Sequence, residues 1–288
     1  MKNVKLALFI SSLLCSTFVL AQNNGIKLTG VQLNGFVGMQ QDGNYKLSDY
    51  QSFAGSSAIL LNNFYGYNLS NAGVSADLGF SAQGSFRLVK GGEIRANRRL
   101  RLGVVGGISE VANGGYFKNW QTTGDSLYNS SGTMIGYVDS LHSSSFNTHY
   151  KGNFLRFDGS MIWSTDEQRR ISAYMGAGLT AGILFNAQTT VDHWEDVSIR
   201  YKYDNSSTYM GYTNKSREME RFNSKGGFYS SIYLPIGFNL RLGKVNPFWS
   251  HAHFCSEWRP NIIFQSYAGT GLKTVFGISH TWGVRWEF

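Results

Sequence analysis

Residues 74–88 read VSADLGFSAQGSFRL, and apolar and polar side chains alternate along the whole stretch. One face of an extended strand would carry the apolar members, Val74, Ala76, Leu78, Phe80, Ala82, Phe86 and Leu88. The other face would carry Asp77, Gln83, Arg87 and several serines. Strands of globular proteins usually have about five or six residues. A longer alternation is typical of a strand that crosses a bilayer, with one face towards lipid and the other towards a polar lumen.

Seven further segments show the same period of two. They are residues 31–39, 100–108, 155–163, 171–185, 228–242, 248–258 and 276–288. The connections alternate between long ones, 41–71, 111–148, 188–225 and an intermediate one within 259–271, and short ones, 90–98, 164–169 and 243–247. Transmembrane β-barrels have this asymmetry, and their sheet must close because lipid offers no hydrogen-bond partners. The sequence therefore predicts an all-β fold, an eight-stranded antiparallel transmembrane β-barrel over residues 22–288, with long extracellular loops and short periplasmic turns.

The composition excludes several other classes. Aromatic residues make up 15% of the 288 residues, whereas disordered chains are poor in aromatics. After residue 21, no apolar run approaches the roughly 18 residues that a membrane-spanning helix needs. Two cysteines are too few for a disulfide-stapled scaffold. The composition therefore argues against a disordered chain, a helical membrane bundle and a disulfide-stapled scaffold.

The first residues have the features of a secretory signal peptide. Lys2 and Lys5 precede an apolar stretch that ends at Leu20, and small residues lead up to Ala21. We therefore expect residues 1–21 to be a signal peptide that is cleaved after Ala21. Export excludes nucleic acid as a partner, although the formal net charge of the chain is +8.

The last residues carry a motif with a known counterpart. Apolar and aromatic side chains alternate on one face of the last segment, at Trp282, Val284, Trp286 and Phe288. This motif resembles the assembly signal of bacterial outer-membrane proteins. The chain as a whole resembles the small outer-membrane β-barrel family of the OmpA-barrel, OmpX and OmpW type. The resemblance implies residence in the outer membrane, assembly by the barrel-assembly machinery, and contact with outer-membrane lipid and lipopolysaccharide.

The inward faces of the expected strands are rich in charge. The alternation directs into the lumen Asp77, Arg87, Arg99, Arg101, Arg156, Asp158, Arg241, His251, His253, Glu257 and Arg285. Side chains about fill the interior of an eight-stranded barrel, and buried charges are costly unless paired. We expect a polar network that plugs the lumen; a narrow channel or a carrier of small apolar molecules is the alternative. One inward row contains residue types that can bind metals: Trp249, His251, His253, Cys255 and Glu257. No second motif in the sequence completes a metal site, so we expect no metal or cofactor.

Two histidines suggest an enzymatic alternative, either a proteolytic or a lipid-modifying barrel. His193 lies among Asp192, Glu195 and Asp196 in a long connection. His280 falls on the lipid face, where a polar group is expensive. Outer-membrane lipid A deacylases have a serine two residues from such a histidine, but Ile278 and Trp282 occupy those positions here. We therefore expect no catalytic residue and no enzyme.

The long connections hold the candidates for recognition. They are aromatic residues, which give large contact area at low entropic cost: Trp120, Tyr128, Tyr137, Trp194, Tyr201 and Tyr203. The alternation within 196–203 leaves open that strands extend beyond the membrane instead. We expect a non-enzymatic barrel that acts in envelope structure or interaction through these loops. The barrel would have an envelope protein as its partner, and one form of this role is an accessory subunit of an envelope complex.

Overall fold

The computed structural model describes residues 26–41, 45–61, 65–69, 75–90, 93–94, 98–165, 169–203, 206–243 and 246–288. The predicted signal peptide lies outside these ranges. Among the described residues, no helix is long and apolar enough to cross a membrane.

Antiparallel strands dominate the structure. The strands are β1 (Ile26–Gln40), β2 (Asn68–Leu69), β3 (Ser75–Lys90), β4 (Glu93–Ile94), β5 (Arg98–Tyr128), β6 (Met134–Ser164), β7 (Ile171–Tyr203), β8 (Ser206–Ser224), β9 (Gly227–Tyr233), β10 (Ile236–Arg241), β11 (Ala252–Tyr267) and β12 (Lys273–Glu287). The helices are α1 (Leu47–Phe53), a 3-10 helix (Ile59–Leu61) and α2 (Pro247–Ser250).

The sheet closes into a ring of eight strands. The order around the ring is β1, β3, β5, β6, β7, the β9–β10 pair, β11 and β12. Closure is made by β12, because Val284 lies opposite Leu33 of β1 on one side and Phe254 of β11 on the other. The predicted eight-stranded antiparallel barrel is therefore confirmed.

The two faces of the ring differ as the alternation predicts. On the outer face, Leu33 is 66% and Phe80 is 79% exposed, which is the arrangement that lipid requires. On the inner face, Gln32, Ser81 and Arg101 are buried. The barrel therefore has an apolar surface and a polar interior, the reverse of a soluble β-protein.

Two predicted strands are corrected. The segment 228–242 is interrupted after Tyr233, because Pro235 has no N–H to give to the ladder. The pairing of β9 and β10 with β7 nevertheless keeps one register across the interruption. The segment 248–258 begins as helix α2, since the Asn246 side chain accepts a hydrogen bond from the Phe248 N–H and Pro247 stands in the first turn.

The second correction changes the predicted lumen row. Trp249 lies in α2 and is 48% exposed, and His251 follows it as an exposed C-cap residue. Neither residue reaches the lumen. His253, Cys255 and Glu257 remain in the row, because β11 begins at Ala252.

Two of the three long connections are largely strand rather than loop. Strand β3 pairs with β5 as far as Glu110, and β5 continues from there to Tyr128 without it. Residues 112–128 of β5, 134–151 of β6, 187–203 of β7 and 206–224 of β8 pair in that order. They form a four-stranded extension of the barrel wall, which we call the projecting sheet. At about 3.3 Å per residue, its strands run roughly 50 Å beyond the bilayer-spanning ring.

Residues 45–61 form a capping segment between the barrel mouth and the projecting sheet. The Phe53 ring stacks on that of Tyr150, with centroids 4.6 Å apart. The Phe53 carbonyl oxygen accepts hydrogen bonds from the hydroxyl groups of Thr189 (3.1 Å) and Ser224 (2.8 Å). The Lys273 Nζ lies 2.7 Å from Asp49 Oδ2. The capping segment thus ties the base of the projecting sheet to the barrel.

Candidate functional site

The lumen network begins near the extracellular end. The Arg156 Nη1 donates a hydrogen bond of 2.6 Å to Asp77 Oδ2, and Ser109 donates to the other oxygen of that carboxylate. The guanidinium lies 3.6 Å from the ring centroid of Tyr229 and 4.0 Å from that of Phe154. Two aromatic rings and one carboxylate therefore hold this cation.

The middle of the lumen is organised by two carboxylates. Glu257 lies 2.7 Å from the Nη1 of Arg101 and 2.5 Å from the Nε of Arg259. Asp158 accepts a hydrogen bond of 2.7 Å from the Tyr233 hydroxyl and lies 3.4 Å from Arg259. Arg259 thus bridges both carboxylates.

Near the periplasmic end, Glu287 lies against two arginines and a histidine. Its carboxylate is 2.7 Å from Arg285, 3.3 Å from the ring of His253 and 3.9 Å from Arg99. Arg87 and Arg241 are half-buried, and each takes part in side-chain interactions. Sequence reasoning missed Arg259 and Glu287, although strict alternation from Glu257 and Arg285 would have placed both in the lumen.

The cavities in the part of the lumen around Arg156 and Arg259 are small. Two cavities beside Tyr229 have volumes of about 20 and 10 Å³. A single water molecule needs roughly 10–15 Å³ of such space. Among the described residues, no group of three or more His, Cys, Asp or Glu is arranged to hold a metal ion.

His280 lies on the lipid-facing side, as the alternation predicts. Its Nε2 lies 3.0 Å from the Ser256 Oγ, so the two polar groups satisfy each other. The imidazole is flanked by the rings of Trp258 and Trp282, with centroids 4.3 and 5.4 Å away. Sequence reasoning missed Ser256, because the contact crosses from β11 to β12 and depends on strand register.

Trp282, Val284 and Trp286 of the predicted terminal motif lie on β12, the strand that closes the ring, and Phe288 directly follows that strand. Trp282, Val284 and Phe288 are exposed on the outer face, and Trp286 contacts Phe248 of α2 at 4.3 Å between ring centroids.

The predicted cluster around His193 is divided between the two faces of the projecting sheet. On the inner face, which continues the lumen wall, His193 stacks on Phe146 at 4.3 Å and lies 3.0 Å from Ser144 Oγ. Asp192 lies on the outer face, where it accepts two hydrogen bonds from Arg217. Successive strand residues point to opposite faces, so Asp192 and His193 do not form one acid–base site.

The predicted recognition aromatics all lie on the strands of the projecting sheet. Trp120 stacks on His142 with centroids 4.9 Å apart and rings 8° from parallel. Trp120 and Trp194 are each 37% exposed and Tyr128 is 63% exposed. Tyr137 and Tyr201 are half-buried, and the side chain of Tyr203 lies outside the described part.

A groove of about 440 Å³ opens on the projecting sheet. Its lining residues are Asn119, Trp120, Gln121, Leu141, His142, Ser143, Asp196 and Ser198. The Ser143 hydroxyl donates a hydrogen bond of 2.8 Å to Asn119 Oδ1. The Oδ1 atom of Asp196 is buried and has no hydrogen-bond partner among the described residues. The groove therefore contains a polar group whose hydrogen-bonding capacity is not used.

No protein-family model matches the chain, and no curated protein matches it. Among solved structures, Neisserial surface protein A is 15% identical over 92% of this chain and 100% of that chain, with a TM-score of 0.33. Ail, the attachment invasion locus protein of Yersinia pestis, is 11% identical over 92% of this chain and 99% of its own, with a TM-score of 0.21. The outer membrane protease OmpT from Escherichia coli is 10% identical over 91% and 96%, with a TM-score of 0.23.

The assignment of this chain rests on its own geometry. The closed ring, the apolar outer band and the charged, filled lumen together require a bilayer around the barrel. The chain is a small transmembrane β-barrel whose wall continues into a projecting sheet.

Proposed function

We propose that this barrel is a non-enzymatic surface protein that binds a partner through its projecting sheet on the outside of the cell. The observation that carries the proposal is the continuity of β5, β6 and β7 from the lipid-embedded ring into the projecting sheet. Such strands hold their side chains in a fixed array, whereas flexible loops lose more entropy on binding. The partner is an envelope protein or a ligand at the cell surface.

The capping segment supports the same role. The Ser57 hydroxyl donates a hydrogen bond to Glu220 of β8, and the Ala58 N–H donates to the other oxygen of that carboxylate at 3.2 Å. The ring of Tyr50 packs edge-on against Tyr116 of β5. The capping segment therefore contacts both outer strands of the sheet and restricts bending at its base.

The lumen network argues against the channel alternative. Conduction would require a continuous aqueous path past Arg101, Glu257 and Arg259, which are at most 3% exposed and paired with one another. Separating such buried pairs costs several kcal/mol in a low-dielectric interior.

The proposal is tested by site-specific photo-crosslinking in intact bacteria. A photoreactive phenylalanine analogue at Trp194 on the projecting sheet should give discrete crosslinked species with a molecule outside the bilayer. The same analogue at Trp258, which is exposed on the lipid face, is the matched control and should give lipid adducts only. Heat-modifiable migration on gels confirms that both variants are folded.

A second variant shortens the projecting sheet. Replacing residues 112–150 and 188–223 by two-residue Asn-Gly turns should leave the ring intact, since these turns suit antiparallel hairpins. We expect the shortened barrel to fold and to lose the crosslinked partner that the full chain binds. The absence of a crosslink from Trp194, or an unchanged partner in the shortened barrel, would contradict the proposal.

A further inference from the structure

The groove on the projecting sheet has a regular chemical pattern. Pairing in register places Asn119, Ser143 and Asp196 side by side across three strands. The next row up consists of Gln121, Leu141 and Ser198. Neighbouring strands lie about 4.8 Å apart, and successive residues on one face of a strand are separated by about 7 Å. The result is a small grid of amide, hydroxyl and carboxylate groups on one face.

The hydrogen-bonding capacity of this grid is only partly used. Ser143 donates to Asn119 Oδ1, and the amide of Asn119 also carries an NH₂ group with two donors. Asp196 Oδ1 is buried and has no partner among the described residues. Because a carboxylate only accepts hydrogen bonds, this oxygen needs a donor. An unsatisfied buried acceptor is costly, so a ligand that donates an O–H or N–H to this oxygen would relieve the cost. Hydroxyl groups at separate positions of one sugar ring, which both donate and accept, suit Asp196 and Asn119, which lie two strand spacings or about 10 Å apart.

Aromatic surface adjoins the polar grid. It does not come from the stacked rings of Trp120 and His142, because residues 120 and 142 alternate with Asn119 and Ser143 along their strands and point to the opposite face of the sheet. Trp194 lies two residues before Asp196 on the same face of β7 and is exposed. The faces of such rings carry negative potential and attract the partly positive C–H groups of a pyranose ring.

The unsatisfied acceptor narrows the class of ligand. Asp196 is the one carboxylate among the described residues that line the groove, and Lys215 of β8 lies opposite it in register. The oxygens of a sulfate group only accept hydrogen bonds, so a sulfate group cannot donate to Asp196 Oδ1. The volume of about 440 Å³ falls within the range of small-ligand sites, roughly 300–1,000 Å³.

We propose that this groove binds a neutral or amino saccharide, with Asp196 and Asn119 hydrogen-bonded to its hydroxyl or amino groups and the neighbouring tryptophan surface against its ring. The assignment rests on the proposed function, since it names the ligand class for the projecting sheet.

The test is a glycan array probed with the full barrel in fluorescent lipid nanodiscs. The array contains neutral, amino-containing and sulfated oligosaccharides. We expect binding to neutral or amino saccharides, and a loss of about tenfold or more in affinity for Asp196→Ala, as expected when a hydrogen bond to a charged group is removed. Asn119→Ala should weaken the binding of the same saccharides.

The matched control is Glu218→Gln, which alters an exposed carboxylate of β8 on the opposite face of the sheet. This variant should bind like the unaltered protein, and heat-modifiable migration shows that each variant is folded. The assignment is overturned if no saccharide binds, if sulfated saccharides alone bind, or if Asp196→Ala leaves the affinity unchanged. If saccharides fail while the Trp194 crosslink to a protein persists, the groove assignment falls and the surface-binding role stands; if both fail, both fall.

Discussion

Replacing Glu257 by glutamine should destabilise the barrel strongly. The Glu257 carboxylate is fully buried and pairs with both Arg101 and Arg259. Glutamine has nearly the same shape but no charge, so the variant leaves these guanidinium groups with one nearby carboxylate, Asp158, which contacts Arg259 at 3.4 Å. One buried positive charge is then uncompensated.

The size of the effect follows from that charge. Removing one partner of a buried ion pair typically costs about 3–5 kcal/mol. At about 2 kcal/mol per M of urea, the unfolding midpoint should fall by roughly 2 M. The double variant Arg101→Met with Glu257→Gln keeps Arg259 paired with Asp158 and removes the uncompensated charge. We therefore expect the double variant to recover a large part of the lost stability.

The assay is urea unfolding of the folded protein in lipid vesicles, followed by tryptophan fluorescence. Asp192→Asn on the projecting sheet is the control, because Asp192 pairs with the exposed Arg217 and its loss should leave the midpoint unchanged. The reasoning is refuted if Glu257→Gln unfolds at the same urea concentration as the unaltered barrel. It is also refuted if the double variant is less stable than Glu257→Gln alone.

Three further predictions concern other parts of the molecule. Burial raises the pKa of the Tyr150 hydroxyl, which donates to the Lys225 carbonyl oxygen, so its contribution to stability is present below pH 10.0 and is lost as the pH rises through the raised pKa. The urea unfolding midpoint should therefore fall as the pH rises above 10.0, and Tyr150→Phe should abolish that fall. Gly283→Val should prevent closure of the ring, because a Cβ at Gly283 would collide with the Leu33 carbonyl oxygen across the β1–β12 pairing. Gly271→Ala is the control, since a Cβ at Gly271 has no atom within 4 Å. Heat-modifiable migration on gels would distinguish the two variants. His280→Leu should preserve folding and leave the acyl composition of surrounding lipids unchanged by mass spectrometry, and a lost lipid-cleaving activity would contradict the non-enzymatic proposal.

The spanning ring could be predicted from the sequence because its two faces meet different solvents. Lipid on one side and a polar lumen on the other force the alternation seen in 74–88. The same alternation in each strand predicts that the side chains of Asp77, Arg156 and Glu257 are buried in the lumen, as they are in the structure. Helix α2 was not predicted, because Phe248 fits the apolar row expected of a strand. The N-cap hydrogen bond of Asn246 favours a helix there instead.

The projecting sheet could not be recognised in the same way. Much of both faces is accessible to water, so apolar and polar residues need not alternate, and serine, threonine and asparagine are as compatible with a loop as with a strand. The site contacts are also distant in sequence: Ser143 and Asp196 meet through register between β6 and β7. Likewise, Ser256 and His280 come together through register between β11 and β12.

The uninterrupted strands that join the ring to the projecting sheet have a mechanical consequence. A partner that pulls on the outer end of the sheet would load β6 and β7 along their length. These two strands are paired from Gly136 and Tyr203 down to Ser164 and Tyr174, so their ladder would be stressed in shear, with many hydrogen bonds sharing the load at once. Tension applied outside the cell would thus be transmitted along these strands to the part of the barrel that is embedded in the bilayer.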